Sequence, residues 1–239
     1  PWGVDIRPRP LKTRTEDGPL RVLFVGQMRG YKGVDTLVRA VAGQPRIELT
    51  LVGDGPQRGE YEQLAGELGA TNVHFLGRVS DEDLHAAYDR SDVIVLPSVT
   101  KAEAYGLVTV EGMAAGCVPV VSDLPGVRDV VDGVGIVVPP RDEVALRDAF
   151  LGLATDHARR KELGRLARRK AESMGWDVCV ERYEDALVDA VEARRANTAP
   201  AERGATVRTL RPSARRAQKD AVARASAAMV DELPLKLSV

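Results

Sequence analysis

Residues 93–122 read VIVLPSVTKAEAYGLVTVEGMAAGCVPVVS. The first five, 93–97, form a short apolar, β-branched run closed by Pro97. The last five, 118–122, form a second. Neither run alternates polar with apolar residues, which predicts strands buried on both faces, as in a parallel sheet. Between them Gly106 opens a helical stretch over 106–116. Two parallel strands need a crossover of this kind, because a hairpin joins only antiparallel neighbours.

The same unit repeats on either side. Further apolar runs occupy 21–26 (RVLFVG), 47–53 (IELTLVG), 73–77 (VHFLG) and 135–140 (GIVVPP). None is read as alternating, so all are expected to be buried on both faces. Helical stretches are predicted over 33–43, 57–69, 81–90, 125–131 and 142–154, and Ser80 followed by Asp83 gives the third of the interstrand helices a capping signal. Six strands interleaved with helices predict an α/β fold built on a doubly wound parallel sheet. Two C-terminal helices, 156–172 and 176–194, extend it. The first 19 residues hold four prolines and read as a linker. The domain is expected over 20–195, followed by an Ala/Arg-rich tail over 196–239.

Composition narrows the function. The 239 residues carry 34 Lys+Arg and 35 Asp+Glu, a net charge of −1, which is not a nucleic-acid-binding balance. The charge is uneven: 201–239 hold eight basic and four acidic residues, against 26 and 31 in 1–200. At 44% apolar residues a sizeable core is expected. No apolar run approaches the ~18 residues of a membrane span. The segment PWGVDIRPRP lacks the apolar region of a secretory leader, and Pro1 in place of Met fits a start further upstream. Two cysteines, Cys117 and Cys179, make no disulfide framework and fit a reducing, cytoplasmic compartment. The tail could meet the inner membrane face peripherally as an Arg-rich helix over 205–232, although its composition better suits a poorly ordered extension.

In a doubly wound sheet, ligands sit beyond the carboxyl ends of the strands. After the first strand comes Gly26-Gln-Met-Arg-Gly-Tyr-Lys32-Gly33. A glycine turn entering a helix offers free N–H groups to an anion, and Lys32 adds a full charge. The same segment also reads as an ordinary turn with a solvated lysine. After the second strand comes Gly53-Asp-Gly55-Pro-Gln-Arg-Gly59, one residue off the dinucleotide spacing, with no acid closing the next strand; a nicotinamide site is disfavoured. After the fourth strand, Glu103 lies on a loop and the N–H groups of Gly106, Leu107 and Val108 open a helix suited to an anion. Glu111, further along that helix, is able to accept two hydrogen bonds from a vicinal diol such as a ribose. Either glutamate alone reads equally well as an exposed acid or an arginine's partner. His74, His85 and His157 have no metal-ligand spacing, no GxSxG elbow occurs, and Cys117 reads as core.

Taken together and in order, these segments resemble the retaining group 1 glycosyltransferases of the GT-B fold. The resemblance rests on Val4-Asp5, Gly26 through Lys32-Gly33, Val52-Gly-Asp-Gly-Pro56, Gly77-Arg78-Val79, Leu96-Pro-Ser98, the pair Glu103 and Glu111 with seven residues between them, and Gly116-Cys-Val-Pro119-Val-Val-Ser122. It covers about 1–194. It implies a Rossmann-like domain, one half of a GT-B fold, that binds the nucleotide-sugar donor. Lys32 is implied to stabilise the departing diphosphate, and Gly106, Leu107 and Val108 to bind phosphate. Glu111 would hold the ribose, Glu103 the sugar hydroxyls, and Arg78 and Val79 the base. Gly26, Gln27, Arg29 and Ser98 are implied donor-site neighbours. No metal or other cofactor is implied. Uridine and guanosine donors are the family's habit, with adenosine a third.

Three departures accompany the resemblance. Gln27 replaces the usual arginine, which Arg29 could compensate. The turn 122–129 (SDLPGVRD) lacks a double glycine, with Asp129 where glutamate is common. The N-terminal acceptor domain is missing, so the expected partner is that domain, upstream or on a separate chain. The expected activity is retaining, hexosyltransferase-like glycosyl transfer, weak in the isolated chain. The alternative is a non-catalytic nucleotide-sugar-binding or scaffold domain that pairs with another chain.

Overall fold

The apolar runs become six parallel strands in the order β3-β2-β1-β4-β5-β6. They are β1 (Leu20–Val25), β2 (Ile47–Val52), β3 (Val73–Gly77), β4 (Val93–Leu96), β5 (Val118–Ser122) and β6 (Ile136–Val138). The intervening helices are α1 (Val34–Val41), α2 (Arg58–Glu67), α3 (Asp81–Arg90), α4 (Leu107–Ala114) and α5 (Val127–Val131), with α6 (Glu143–Thr155), α7 (His157–Glu172) and α8 (Trp176–Thr198) after the last strand. The structure is a computed structural model that describes residues 3–6, 18–103 and 105–198, the last four of these by backbone alone. The expected tail helix over 205–232 and most of the proline-rich linker lie outside the described residues. The chain divides into two compact units, Pro1–Cys179 and Val180–Val239.

Side chains of β1 alternate between two cores, as strand geometry requires. Leu20, Val22 and Phe24 join α1, α2 and α6 on one face. Leu23 and Val25 join Tyr88 of α3, Ile94 and Cys117 on the other. A further cluster on that second side packs α4, α5 and α7 around Leu96 and Val121. Full burial of a side chain such as Phe24 contributes roughly 1.5–3 kcal/mol. Local signals agree with these helices. The backbone N–H of Asp83 donates to Ser80 Oγ (3.1 Å), that of Ala145 to Asp142 Oδ1 (2.8 Å) and that of Arg159 to Asp156 Oδ1 (2.9 Å), caps worth about 1 kcal/mol each.

The expectation of two buried faces fails on β2 and β3. Glu48 and Thr50 alternate with buried Ile47, Leu49 and Leu51, and on β3 His74 and Leu76 are exposed, Leu76 by 50%. Val137 of β6 is also 42% exposed. The reason is topological. The crossover from β3 returns to β4 through α3, which covers the middle of the sheet and leaves that face of the outer two strands open. His74 Nε2 lies 3.3 Å from Glu48 Oε1 there.

The short segment 3–6 is pinned to the start of α8. Val4 is buried and its N–H donates to Met174 O, while Trp176 N–H donates to Val4 O, both at 3.2 Å. Within the second unit, Val180, Tyr183, Leu187 and Val191 of α8 are all about half exposed or more. Among the described residues no helix is long and apolar enough to cross a membrane.

Candidate functional site

The strand order reverses between β1 and β4, which pair through Val22 with Val93 and Leu23 with Ile94. Their carboxyl ends therefore send out neighbouring loops, 26–33 and 97–106. A backbone hydrogen bond from Val99 N–H to Tyr31 O (2.8 Å) joins the two. Gly33 sits at the junction with φ +68, and a Cβ there would collide with the carbonyl oxygen of Pro97. Gly53, after β2, faces Gly26 O as closely, and Gly26 N–H donates to Val52 O at 3.0 Å. Glycine is needed at both positions because backbone meets backbone.

This packing brings together two residues 71 positions apart in the chain. Lys32 Nζ donates to Glu103 Oε2 at 2.5 Å. The side chains are 12% and 11% exposed, so the ion pair is largely withdrawn from water. Ser98 Oγ, fully buried, donates to the same oxygen at 3.3 Å. Lys32 Nζ also lies 5.4 Å from the centroid of the Tyr31 ring, within cation–π range. Gly106 caps α4 in the left-handed conformation, φ +71. The N–H groups of Gly106, Leu107 and Val108 stand at the helix start, where no intrahelical acceptor exists for them. A cation, a helix N-terminus and a hydroxyl-accepting carboxylate thus meet at one end of the sheet, a combination suited to a phosphorylated, hydroxyl-bearing ligand.

Glu111, about one turn into α4, does not join that cluster. It accepts a hydrogen bond from Tyr88 Oη at 2.7 Å. Both line a cavity of about 260 Å³ with Asp5, Asp81, Leu84, His85 and Ala114. Tyr88, Asp81 and His85 were not among the sequence candidates. They reach the cavity because α3 runs beside α4, and no local sequence signal marks them. Gln27 and Arg29 are exposed and paired, Arg29 Nε donating to Gln27 Oε1 at 2.8 Å, so a guanidinium does stand beside the glutamine. Arg78 is exposed, and Val79 is partly buried against the core cluster that includes Tyr88; neither lines the cavity. A larger cavity of about 430 Å³ lies over the open face of β2 and β3, lined by Arg21, Glu48, Thr50, His74 and Arg90. It sits toward the amino ends of those strands, away from the loops described above. Among the described residues no group of histidine, cysteine or carboxylate side chains is arranged to hold a metal ion.

The chain is similar to known proteins in sequence and in fold. The family model described as glycosyl transferases group 1 matches residues 8–170. The D-rhamnosyltransferase WbpZ of Pseudomonas aeruginosa is 37% identical over 175 residues, 70% of this chain and 45% of that protein. Sucrose-phosphate synthase from Thermosynechococcus elongatus superposes with a TM-score of 0.66 at 31% identity, over 75% of this chain and 47% of that one. The C-terminal domain of a group 1 glycosyl transferase family protein from Francisella tularensis superposes with a TM-score of 0.58 at 21% identity, over 65% of this chain and 86% of that domain. The chain thus spans less than half the length of the curated relative it matches.

Proposed function

The chain belongs to the group 1 glycosyltransferases, and from that premise we propose that it is the donor-binding half of a retaining enzyme. A sugar would pass from a nucleoside diphosphate to an acceptor held largely by a separate, N-terminal domain. The observation that carries this reading is the meeting of Lys32, Glu103 and the start of α4 at the switch in strand order.

The chemistry follows from that geometry. As the bond from the anomeric carbon to the diphosphate lengthens, negative charge grows on the leaving oxygens. Lys32 and the N–H groups of Gly106, Leu107 and Val108 stabilise that charge from positions set before the reaction begins. Arg29 beside Gln27 adds a cation where the family's arginine is replaced. Glu103, freed from Lys32 once phosphate takes the ammonium, accepts hydrogen bonds from sugar hydroxyls. Glu111 accepts them from the ribose, and Arg78 and Val79 flank the base. Charge neutralisation is assigned to the protein's own groups. Two cysteines with no disulfide framework favour a reducing, cytoplasmic setting for the domain.

Calorimetric titration of this chain with UDP, GDP and ADP tests the reading. One nucleotide is expected to bind, and Glu111→Ala to weaken that binding about tenfold or more. At 100 times its dissociation constant that nucleotide should also raise stability by about 2.7 kcal/mol. Binding of none, or binding unchanged in the variant, overturns it. Gln27 favours a second reading, a binding or scaffold domain without turnover. Transfer once the N-terminal half is added back supports the enzyme; tight binding with no transfer supports the scaffold.

A further inference from the structure

We infer that Tyr88 is a positioning residue that holds the Glu111 carboxylate ready for a ribose. The inference rests on the donor-binding reading above. Tyr88 is 1% exposed, and its ring is packed among Leu23, Val25, Val52, Ile94 and Cys117. For the core alone a phenylalanine would fill this space as well. The hydroxyl instead reaches through to the rim of the cavity and meets Glu111 Oε2 at 2.7 Å. A hydrogen bond to an ionised carboxylate is among the stronger ones. The backbone at Tyr88 and just after it is fixed too: Cys117 Sγ lies 3.4 Å from both Tyr88 O and Ser91 O, tying the end of α3 to the start of β5.

A glutamate on a helix surface has three side-chain torsions to freeze before it can grip a diol, and ordering them costs entropy. The buried phenol imposes that order at folding, so binding does not bear it. It also takes one carboxylate oxygen and leaves Oε1 as the acceptor for the ligand. Because the partner is neutral and anchored in the core, the ligand does not have to displace it.

The test compares ribonucleotides with 2′,3′-dideoxynucleotides on wild type, Tyr88→Phe and Glu111→Gln of this chain. The probes are UDP, GDP, ADP and their dideoxy forms, titrated by calorimetry, with melting temperature as the folding control. Wild type should prefer the ribose form by about tenfold. Tyr88→Phe keeps the ring and removes one oxygen. It should shrink the preference to about threefold or less while leaving affinity for the dideoxy form unchanged. Equal loss for both forms marks a merely structural role and overturns the inference, as does an unchanged preference. If Glu111→Gln itself keeps the full preference, the ribose assignment fails and the inference falls with it. Loss in Glu111→Gln but not in Tyr88→Phe overturns the tether alone.

Discussion

Glu103 and Glu111 lie eight residues apart, yet the fold holds them in opposite ways. Glu103 sits on a loop and is held by a cation, Lys32, with Ser98 behind it. Glu111 sits on a helix and is held by a neutral hydroxyl rooted in the core. The first contact joins two groups that an incoming diphosphate and sugar would both claim, so ligand binding must break it. The second joins the proposed ribose acceptor to a neutral hydroxyl whose ring is anchored in the core, so a diol binding there would not have to displace it. One end of the site is poised to exchange partners, and the other is built in advance.

The most severe way to break the first end is at the loop junction. Gly33→Ala adds a Cβ against Pro97 O at φ +68, and chemical denaturation should show a loss of about 3 kcal/mol or more. Gly116→Ala is the control. It has the same sign of φ, +77, but nothing within 4 Å of the added carbon, so only the left-handed strain of about 1–2 kcal/mol should appear. Equal losses would show that the two loops are not coupled through this contact.

Next in size is the ion pair itself. Lys32→Ala should weaken binding of the nucleoside diphosphate by about 2–3 kcal/mol, because the anion loses its cation. Arg29→Ala should match it if that guanidinium serves in place of the usual arginine. Glu103→Gln should act in the other direction on the bare diphosphate, raising affinity severalfold by about 1 kcal/mol as the competing carboxylate disappears. The same variant should weaken binding of the intact nucleotide sugar. Titrations with and without the sugar separate the two effects. A Glu103→Gln that weakens both ligands alike would mean that the pair is not a competitor.

The smallest effect sharpens the other side of the comparison. Tyr61 is a buried tyrosine like Tyr88, but its hydroxyl donates to the neutral Gln57 Oε1 at 3.2 Å. Burial, helped by Asp35 and Glu60, pushes its phenol up to about 12. The folded value thus lies above the ordinary value of about 10, and the fold favours the protonated form. That contribution is complete below about pH 10 and is lost as pH rises toward about 12. Tyr61→Phe should flatten this alkaline decline in melting temperature and leave nucleotide affinity unchanged. A drop in affinity would show that buried tyrosines act on the site through packing in general, and would weaken the special place given to Tyr88.

Much of the architecture was legible along the chain. The runs at 73–77 and 118–122 are strands over those residues, and α3 spans 81–90 as its Ser80 cap implied. Other ends moved by at most two residues, except that α8 runs four residues past its expected end at 194, since the last turn of a helix depends on what it packs against. The burial of β2 and β3 was misread for a different reason. Glu48, Thr50 and His74 do alternate with apolar neighbours, the local signal of a half-buried strand; what no window of a few residues contains is that the α3 crossover leaves their face uncovered. At the site, Lys32, Glu103, Glu111 and the helix start at Gly106 could be picked out because each follows a strand or opens a helix. Their grouping could not.

The sequence alone determined the alternation of elements, the loops that carry charge and glycine, and the family, because these depend on spacing within a few residues. Only the tertiary structure decided that Lys32 pairs with Glu103 across 71 positions, that Glu111 stands apart from them, and that Tyr88 holds it. Those contacts exist because β1 and β4 lie side by side in the sheet and α3 beside α4 above it. Such neighbours are chosen by the burial of whole faces, and a hydrogen bond between two side chains follows from that choice.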